Sequence, residues 1–578
     1  MTTSARPAAR RPVLRPARAR RRRGVAWLRL APLLAAAAVA FAAGIVVGAG
    51  DDDPRRATAR DFTTAWAHGD YAAMHALLTP AAQRDVPLER FANAYRRAAE
   101  VSTLSGLAAA APAAPDRTGL VRVPVTARTR VFGTITAPVD LPMEADDGGA
   151  RVQWQPHLVF PGLREGEKLR RSTRVARRAA LQARDGTVLA EGATRTGAAG
   201  VAAADIVGTV GTAPAERRPE LRRRGVPLDT PVGLTGLERE FDAELTGTPG
   251  GRLRAGDRFL ASVEPRPGTD VRTTIDLELQ AAAVTALAGR FGGIAVLRPR
   301  DGEVLALAGI AYSAPQPPGS VFKIITLAGA LEAGTVKPSD SWPVQQAAVL
   351  EGVELENANG EFCGGRLRNT FAHSCNSVFA PIGAELGAEK LVATAERFGF
   401  NRPPSLTGAE MSTIPPADEI GDDLAVGSTA IGQGRVLATP LEFATVAATI
   451  AERGMRPEPT LRKGAPPVRE RVVPEDVARR IGSYMRSVVR SGTGTAAALP
   501  DVKVAGKTGT AELRDTTPEP DPITGEVPIS DASDTNAWFA AYAPARRPRL
   551  AVAVMLVGAG AGGATAAPAA RVVLDAGT

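Results

Sequence analysis

The stretch PPGSVFKIITLAGALEAG, residues 317–334, joins a loop rich in proline and glycine to a helical pattern. Residues three apart lie on one face of a helix, so the hydroxyl of Ser320 and the amine of Lys323 are predicted to meet. A serine nucleophile needs a neighbouring base, and a lysine can supply one if burial and a nearby cation lower its pKa. Ser320 would also lie at the helix N-terminus, whose partial positive charge favours a developing oxyanion. A lone Ser-x-x-Lys is common by chance, so other motifs must support this chemistry.

A second short motif, Ser374-Cys375-Asn376, follows the sequence RNTFAHS. The hydroxyl of Ser374 can relay a proton, and the side chain of Asn376 offers both a donor and an acceptor to a substrate amide. The same residue types are also frequent in loops and helix caps. This motif alone therefore leaves a structural role open.

A third motif, Lys507-Thr508-Gly509-Thr510, lies inside a strand-like run. Glycine weakens a strand unless another backbone must come close to it. That other backbone could be an extended peptide that pairs with the edge of the strand. The cation and the two threonine hydroxyls would then bind the carboxylate of the peptide.

The order and spacing of the three motifs carry more information than any one of them. The second begins 54 residues after the first, and the third begins 133 residues after the second. Ser-x-x-Lys, Ser-x-Asn and Lys-Thr-Gly in this order are the signature of penicillin-recognising serine enzymes. The joint occurrence predicts one active site built from three distant parts of the chain.

Residues 273–578 resemble the transpeptidase domain of class B penicillin-binding proteins. The similarity lies in TIDLELQ, GEVLALA, PPGSVFK, AIGQG with TPLEFA, GKTGTAE and NAWFAAYAP. Residues 57–162 resemble the nuclear transport factor 2-like module of penicillin-binding proteins related to the methicillin-resistance enzyme. Residues 163–272 are similar to the pedestal, or dimerisation, domain of those proteins. At position 375, the variable position of the second motif, this chain has Cys where many relatives have Asp. The difference is expected to affect local packing more than the chemistry.

The expected fold class is α+β with several domains. Strands at both ends of residues 273–578 predict an antiparallel sheet flanked by helices, with a helical subdomain between the strands. The opening helix is expected to bury Leu277, Ala281, Val284 and Leu287 along one stripe. Helices followed by strands predict a cone-like α+β module in residues 57–162, and short strand-like runs predict an extended β-rich pedestal in residues 163–272.

The chain begins with an arginine-rich tail and a hydrophobic segment. Residues 1–29 hold ten arginines and no acidic residue, which more than accounts for the net charge of +9. Residues 30–50 are uncharged and long enough to span a bilayer as a single transmembrane helix. Asp51, Asp52 and Asp53 follow, so the tail is expected in the cytoplasm and the remainder outside the membrane. A cleaved signal peptide and, more weakly, a twin-arginine signal are the alternatives.

The composition excludes some classes of protein. A chain of 578 residues with 44% hydrophobic and 23% charged residues is ordinary for a globular protein of several domains and excludes wholesale disorder. The body beyond the tail is nearly neutral, so nucleic acid is not an expected partner. Cys363 and Cys375 are expected either to form a disulfide in an oxidising compartment or to remain as two buried thiols.

The resemblance implies a mechanism and a set of residues that perform it. Ser320 would attack the penultimate D-alanine of a peptidoglycan stem peptide and form an acyl-enzyme, which β-lactam antibiotics would also form. The catalytic residues implied are Ser320, Lys323, Ser374 and Lys507. The substrate-binding residues implied are Asn376, Thr508, Gly509 and Thr510. No metal or organic cofactor is expected, and AIGQG, residues 430–434, is expected to line the cleft.

Other functions share these motifs. A D,D-carboxypeptidase or a β-lactamase would carry the same triple, although a β-lactamase would lack the long N-terminal region. A β-lactam sensor or a non-catalytic scaffold for wall synthesis is the alternative from another class. The expected partners of a transpeptidase are the cytoplasmic membrane and a glycan-polymerising synthase.

Overall fold

The computed structural model describes residues 53–146, 149–198, 200–512 and 534–578. The chain divides into two compact units. Unit 1 comprises the chain up to Arg170 together with Leu253–Ala261, and unit 2 comprises Arg171–Arg252 and Ser262–Thr578. The predicted membrane span at residues 30–50 lies outside the described residues. No helix within the described ranges is long and apolar enough to cross a membrane.

Unit 1 begins with helices and continues with an antiparallel sheet, as the sequence predicts. The helices are α1 (Pro54–His68), α2 (Tyr71–Ala76), α3 (Pro80–Asp85) and α4 (Leu88–Ser102). The strands are β1 (Leu104–Ala109), β2 (Leu120–Thr129), β3 (Gly133–Asp146) and β4 (Gly149–Val152), paired in that order. Gly69, in the left-handed region at φ +72°, ends α1, and the Asp70 side chain accepts from Ala73 N at the start of α2. The aromatic side chains of Phe62 and Phe91 lie in the core between helices and sheet.

The chain from Leu169 to Arg272 alternates short strands with short helices. Its strands are β5 (Leu169–Arg174), β6 (Leu181–Gln182), β7 (Val188–Ala190), β8 (Val210–Gly211), β9 (Val232–Gly233), β10 (Gly250–Ala255), β11 (Arg258–Val263) and β12 (Val271–Arg272). Its helices are α5 (Gly200–Val207), α6 (Arg218–Arg224), α7 (Gly236–Glu240) and α8 (Asp242–Thr246). The sheets have the orders β11-β10-β5, β12-β6-β7 and β8-β9. This part holds more helix than the predicted β-rich pedestal, because Leu237, Phe241 and Leu245 repeat every four residues and are buried.

A buried network of charges organises this part of unit 2. Glu238, which is fully buried, accepts from Nε of Arg178 at 2.8 Å and from Nε of Arg195 at 2.6 Å. Asp242 accepts from Arg178 at 2.8 Å and from Arg217 at 2.7 Å. Burial raises the pKa of Asp242, but the hydrogen bond from Gly233 N and the charge of Arg178 outweigh this and hold it below its ordinary value. Paired in this way, the charges tolerate burial that none of them would tolerate alone.

The rest of unit 2 is built on a five-stranded antiparallel sheet, which confirms the predicted arrangement. Its order is β14-β13-β23-β22-β21, and β21 is therefore an edge strand. The strands are β13 (Gly292–Leu297), β14 (Val304–Gly309), β21 (Ala505–Glu512), β22 (Thr535–Ala543) and β23 (Leu550–Leu556). The helices are α9 (Leu277–Leu287), α10 (Lys323–Ala333), α11 (Leu367–Ala372), α12 (Asn376–Leu386), α13 (Ala388–Phe398), α14 (Ala417–Ile420), α15 (Asp423–Ala430), α16 (Pro440–Ala451), α17 (Glu475–Ser491) and α18 (Ala566–Gly577).

Small strand pairs lie between these helices. They are β15 (Ser341–Gln345) with β18 (Cys363–Arg366), β16 (Ala347–Leu350) with β17 (Val353–Glu356), and β19 (Met455–Pro457) with β20 (Arg469–Arg471). We refer to residues 341–366, which contain the first two pairs, as the β subdomain. It lies in the chain between the first and second sequence motifs and bears directly on the active site.

The buried face of α9 differs from the predicted stripe. Ala281 is exposed, whereas Gln280 is fully buried and faces the sheet. The Gln280 side chain donates to Leu307 O at 2.8 Å and accepts from Leu307 N at 2.9 Å, on the edge strand β14. A polar side chain thus replaces the missing neighbour of an edge strand, which hydrophobic periodicity does not reveal.

We expect Glu238→Ala to destabilise unit 2 by about 3–5 kcal/mol, since it removes the carboxylate partner of Arg195 and one of the two carboxylate partners of Arg178. Urea denaturation of the full-length chain in detergent measures this change. Glu264→Ala is the matched control, because Glu264 pairs with Arg174 on the surface with 81% of its side chain exposed. The control should cost less than about 1 kcal/mol, and equal losses in the two variants would contradict the role of the network.

Candidate active site

Ser320 lies in a turn of 3₁₀-helix, Gly319–Phe322, that leads directly into α10. Its side chain is half-buried, and within the described residues its hydroxyl makes no hydrogen bond. The turn is held from the sheet side, where Nε1 of Trp538 donates to Pro317 O at 2.8 Å. The hydroxyl is therefore held at a fixed place while it remains available to a substrate.

Glycines let three pieces of backbone pack around the Ser320 turn. Gly319 N donates to Gly432 O at 2.9 Å, and a Cβ on Gly432 would lie 2.0 Å from Gly319 O. A Cβ on Gly319 would lie 2.3 Å from Thr510 O, and one on Gly509 would lie 2.7 Å from Pro318 O. Gly432 and Gly319 also have positive φ angles of +80° and +54°. AIGQG thus contacts the turn that carries Ser320, and no larger residue fits at these positions without displacing it.

Lys323 connects the first motif with the second. Its side chain is fully buried, and Nζ donates to Ser374 O at 2.7 Å and to Asn376 Oδ1 at 2.6 Å. The hydroxyl oxygen of Ser374 lies 3.3 Å from the same Nζ. An uncharged amine has two N–H bonds and one lone pair, so two carbonyl-type acceptors occupy both of its protons. The lone pair is then left for a hydroxyl proton.

Lys507 approaches the Ser374 hydroxyl from β21. Its Nζ lies 2.8 Å from Ser374 Oγ and donates to Thr508 O at 2.9 Å. The backbone of Ser374 is held at φ +60°, in the left-handed region that residues other than glycine seldom adopt. In this conformation the Ser374 hydroxyl lies between the two lysines and within reach of both amines.

The surroundings favour the uncharged form of both amines. Burial, followed by the charge of Lys507, holds the pKa of Lys323 well below its ordinary value. Burial lowers the pKa of Lys507 to about 7. The rings of Phe379 and Phe371, with centroids 5.5 Å and 5.7 Å from the respective Nζ atoms, exclude water from this region. Near neutral pH, Lys323 can therefore act as a base while Lys507 exchanges protons readily.

The third motif lies on the edge strand β21 beside this cluster. Thr508 is buried, and its Oγ1 lies 2.5 Å from Oγ1 of Thr493. Oγ1 of Thr510 accepts from Gly562 N at 3.2 Å. Thr493 follows α17 in an unremarkable glycine-rich stretch, and sequence reasoning missed it. Only the packing of α17 against β21 shows that Thr493 lies near the third motif.

The second motif is tied to the β subdomain. Cys363 and Cys375 form a disulfide with a Cα–Cα distance of 5.5 Å. Nδ2 of Asn376 donates to Glu356 O at 2.8 Å. Asn357, which sequence reasoning also missed, accepts from Ser377 N at 2.9 Å through its side chain.

Of the eight catalytic and substrate-binding residues named from the sequence, four are joined by direct side-chain hydrogen bonds: Lys323, Ser374, Asn376 and Lys507. In the described part of the chain, no group of three or more His, Cys, Asp or Glu could hold a metal ion.

Family comparison divides the chain into three matched regions. Residues 292–575 match the family described as "Penicillin binding protein transpeptidase domain". Residues 55–167 match the "NTF2-like N-terminal transpeptidase domain". Residues 173–273 match the "Penicillin-binding Protein dimerisation domain". All three kinds of domain expected from the resemblance are therefore present in the expected order.

Curated relatives and solved structures are similar to this chain over part of its length. The peptidoglycan D,D-transpeptidase PbpA of Mycolicibacterium smegmatis is 33% identical over 59% of this chain and 79% of the relative. The peptidoglycan D,D-transpeptidase FtsI of Escherichia coli is 30% identical over 58% of this chain and 61% of that protein. The penicillin G acyl-enzyme complex of penicillin-binding protein A from M. tuberculosis has a TM-score of 0.55 and 27% identity, and the match covers 69% of this chain and 99% of that one. The chain belongs to the penicillin-binding proteins, the family of serine D,D-transpeptidases, and carries their NTF2-like and dimerisation domains.

Proposed function

We propose that Ser320 is the nucleophile of this D,D-transpeptidase and that Lys323 is its base. The observation that carries this proposal is that two buried lysine amines meet at the Ser374 hydroxyl. One of them, Lys323, follows the half-buried Ser320 by three residues, about one turn of helix. A protonated lysine could not accept a proton, so the lowered pKa is essential to the assignment.

Acylation begins when Ser320 Oγ attacks the carbonyl of the penultimate D-alanine of a stem peptide. The proton of the hydroxyl passes to the lone pair of Lys323. Ser374, which lies between Lys323 and Lys507, then carries a proton toward the nitrogen of the departing D-alanine. The C–N bond breaks, D-alanine leaves as an amine, and the stem peptide remains bound to Ser320 as an ester.

The edge strand β21 provides the binding surface for the peptide. We assign the backbone N–H groups of Ser320 and Thr510 to the oxyanion hole, where each donor is typically worth about 3–4 kcal/mol. Lys507 and the hydroxyls of Thr508 and Thr510 bind the substrate carboxylate. Gly509 permits the close approach of the peptide backbone, and Asn376 orients its amide. The support for these roles is the position of β21 at the sheet edge, against the Ser320 turn.

The second half of the reaction forms the cross-link. An amine from a neighbouring peptidoglycan strand attacks the ester carbonyl, a new amide forms, and Ser320 recovers its proton. A β-lactam would acylate Ser320 in the same way. Its leaving group stays attached through the opened ring and keeps occupying the site where the acceptor amine would bind. Acyl-enzyme complexes of the M. tuberculosis relative with penicillin G, imipenem and ceftriaxone support this extension.

We further propose that residues 30–50 anchor the enzyme in the cytoplasmic membrane, with residues 1–29 in the cytoplasm and the catalytic domain outside. The arginine-rich tail, the uncharged segment and the three aspartates after it support this orientation. We place the domain boundaries at residues 57–162, 163–272 and 273–578. A membrane-bound synthase that polymerises glycan is the natural partner, because a cross-linking enzyme needs newly made strands beside it.

We expect Ser320→Ala to abolish labelling of the full-length chain by a fluorescent penicillin, because the variant lacks the hydroxyl that would form the acyl ester. Gel fluorescence measures the labelling, and the unfolding temperature of the variant serves as the control for folding. Unchanged labelling would remove Ser320 from the mechanism.

With polymerised wall precursor, the wild-type enzyme should yield dimeric stem peptides, whereas trimmed monomers alone would indicate a carboxypeptidase.

We expect Gly432→Ala to slow acylation about 10–100-fold, since its Cβ would collide with Gly319 O and displace the nucleophile. Gly434→Ala is the matched control. Gly434 also has a positive φ, +68°, but the nearest atom to its Cβ would be Oγ1 of Thr429 at 3.9 Å. The two variants share the backbone strain and differ in the collision, so equal acylation rates would contradict the positioning role of Gly432.

We expect the full-length chain to stay in the membrane fraction after alkaline carbonate washing, and the chain without residues 1–50 to be released. The mass of the mature chain distinguishes an anchor from a cleaved signal peptide. Release of the full-length chain would contradict the proposed anchor.

A further inference from the structure

The disulfide between Cys363 and Cys375 lies inside the second motif rather than beside it. Cys375 is the residue between Ser374 and Asn376, both of which contact Lys323. Its side chain is fully buried, and that of Cys363 is 6% exposed. A covalent bond therefore links the two active-site residues of this motif to strand β18 of the β subdomain.

Asn357 provides a second attachment, to Ser377, the residue that follows the motif. Its side chain is 5% exposed and uses both of its polar ends. Nδ2 donates to Gln345 O and to Glu361 O, both at 2.9 Å, and Oδ1 accepts from Ser377 N at 2.9 Å. One buried amide thus joins two segments of the β subdomain to the first turn of α12. Together with the disulfide, it holds the second motif from outside the catalytic cluster.

The catalytic cluster has little capacity to hold this motif unaided. Ser374 adopts a left-handed backbone conformation that persists only where the surroundings enforce it. Burial lowers the pKa of both lysines that contact it, that of Lys507 to about 7, so near neutral pH their hydrogen bonds to the motif are not fully ionic. The attachment to the β subdomain adds to the backbone hydrogen bonds that Ser374 N and Cys375 N donate to Phe371 O and Thr370 O.

We propose that Asn357, Cys363 and Cys375 form a clamp that positions Ser374 and Asn376 for acylation, and that the rate of acylation depends on the oxidised state of the disulfide. These are positioning residues, since they act through Ser374 and Asn376. The inference rests on the proposed roles of those two residues. Reduction by dithiothreitol would cleave the S–S bond, give two thiols, and convert the reagent to its cyclic disulfide, with two electrons and two protons transferred. Acylation would then slow while Ser320, Lys323 and Lys507 remain in place.

A positioning role and a merely structural one predict different kinetics. Loss of a structural bond unfolds a fraction of the molecules, which lowers the final amount of labelled protein. Loss of the clamp lowers the maximal acylation rate at saturating penicillin in molecules that are folded and eventually label completely. Time courses of labelling over a range of penicillin concentrations separate the amplitude, the maximal rate and the half-saturating concentration.

The experiment compares the full-length chain in detergent as the oxidised wild type, the dithiothreitol-reduced wild type, Cys363→Ser/Cys375→Ser and Asn357→Ala, with fluorescent penicillin as the probe. The last three should show maximal rates at least tenfold lower, with complete final labelling. Reoxidation should restore the reduced wild type and leave the double variant slow. Glu238→Ala is the destabilised control, because it weakens unit 2 without touching the motif, and it should keep the wild-type maximal rate.

A maximal rate within twofold of the oxidised wild type in the double variant would overturn the proposal. The same result in reduced wild type, with both thiols verified by alkylation and mass spectrometry, would also overturn it. Because the cysteines are buried, the double variant decides the matter if the reagent fails to reach them. Ser320→Ala separates this test from that of the proposed function. Labelling of that variant would refute the nucleophile, whereas normal kinetics in the cysteine variant would refute the clamp alone.

Discussion

The active site depends on two lysine amines buried within reach of the same serine hydroxyl. Each amine would hold a proton in water, but burial lowers both pKa values, and the charge of Lys507 lowers that of Lys323 further. Lys323 and Lys507 come from α10 and from β21, so the effect of Lys507 on Lys323 exists only when the helix and the edge strand are packed together. The chemistry is thus a consequence of tertiary packing rather than of any one motif.

The sequence predicted much of this arrangement because its strongest signals are local. Proline and glycine before Ser320 mark the turn, and the apolar run after Lys323 marks the helix. Strand-like runs at both ends of the catalytic region predicted the sheet. Where contacts are distant, the same reasoning failed. Periodicity placed Ala281 in the core, but the helix instead buries Gln280 to satisfy an edge strand. A hydrogen bond between residues 27 positions apart leaves no trace in apolar spacing.

The residues missed at the site share this cause. Asn357 and Thr493 carry no motif, and each acts through groups distant in the chain. Asn357 contacts Ser377, 20 residues away, and Thr493 contacts Thr508, 15 residues away. Asparagine and threonine are common in turns, so their types alone would indicate turn formation. Only the fold shows that Asn357 is buried and Thr493 partly buried near catalytic and substrate-binding groups, and that both use their polar ends there.

The order of the strands links folding of the domain to its catalytic competence. β13 and β14 come from the start of the catalytic region, whereas β21, β22 and β23 come from its end, and β13 pairs with β23. Lys507 therefore cannot take its place beside Ser374 until the last strands have joined the first. Until β21 is in place, Lys323 lacks the neighbouring charge of Lys507, which adds to burial in lowering its pKa. The surroundings that favour the uncharged amine of Lys323 are therefore complete only when the edge strand has joined the sheet.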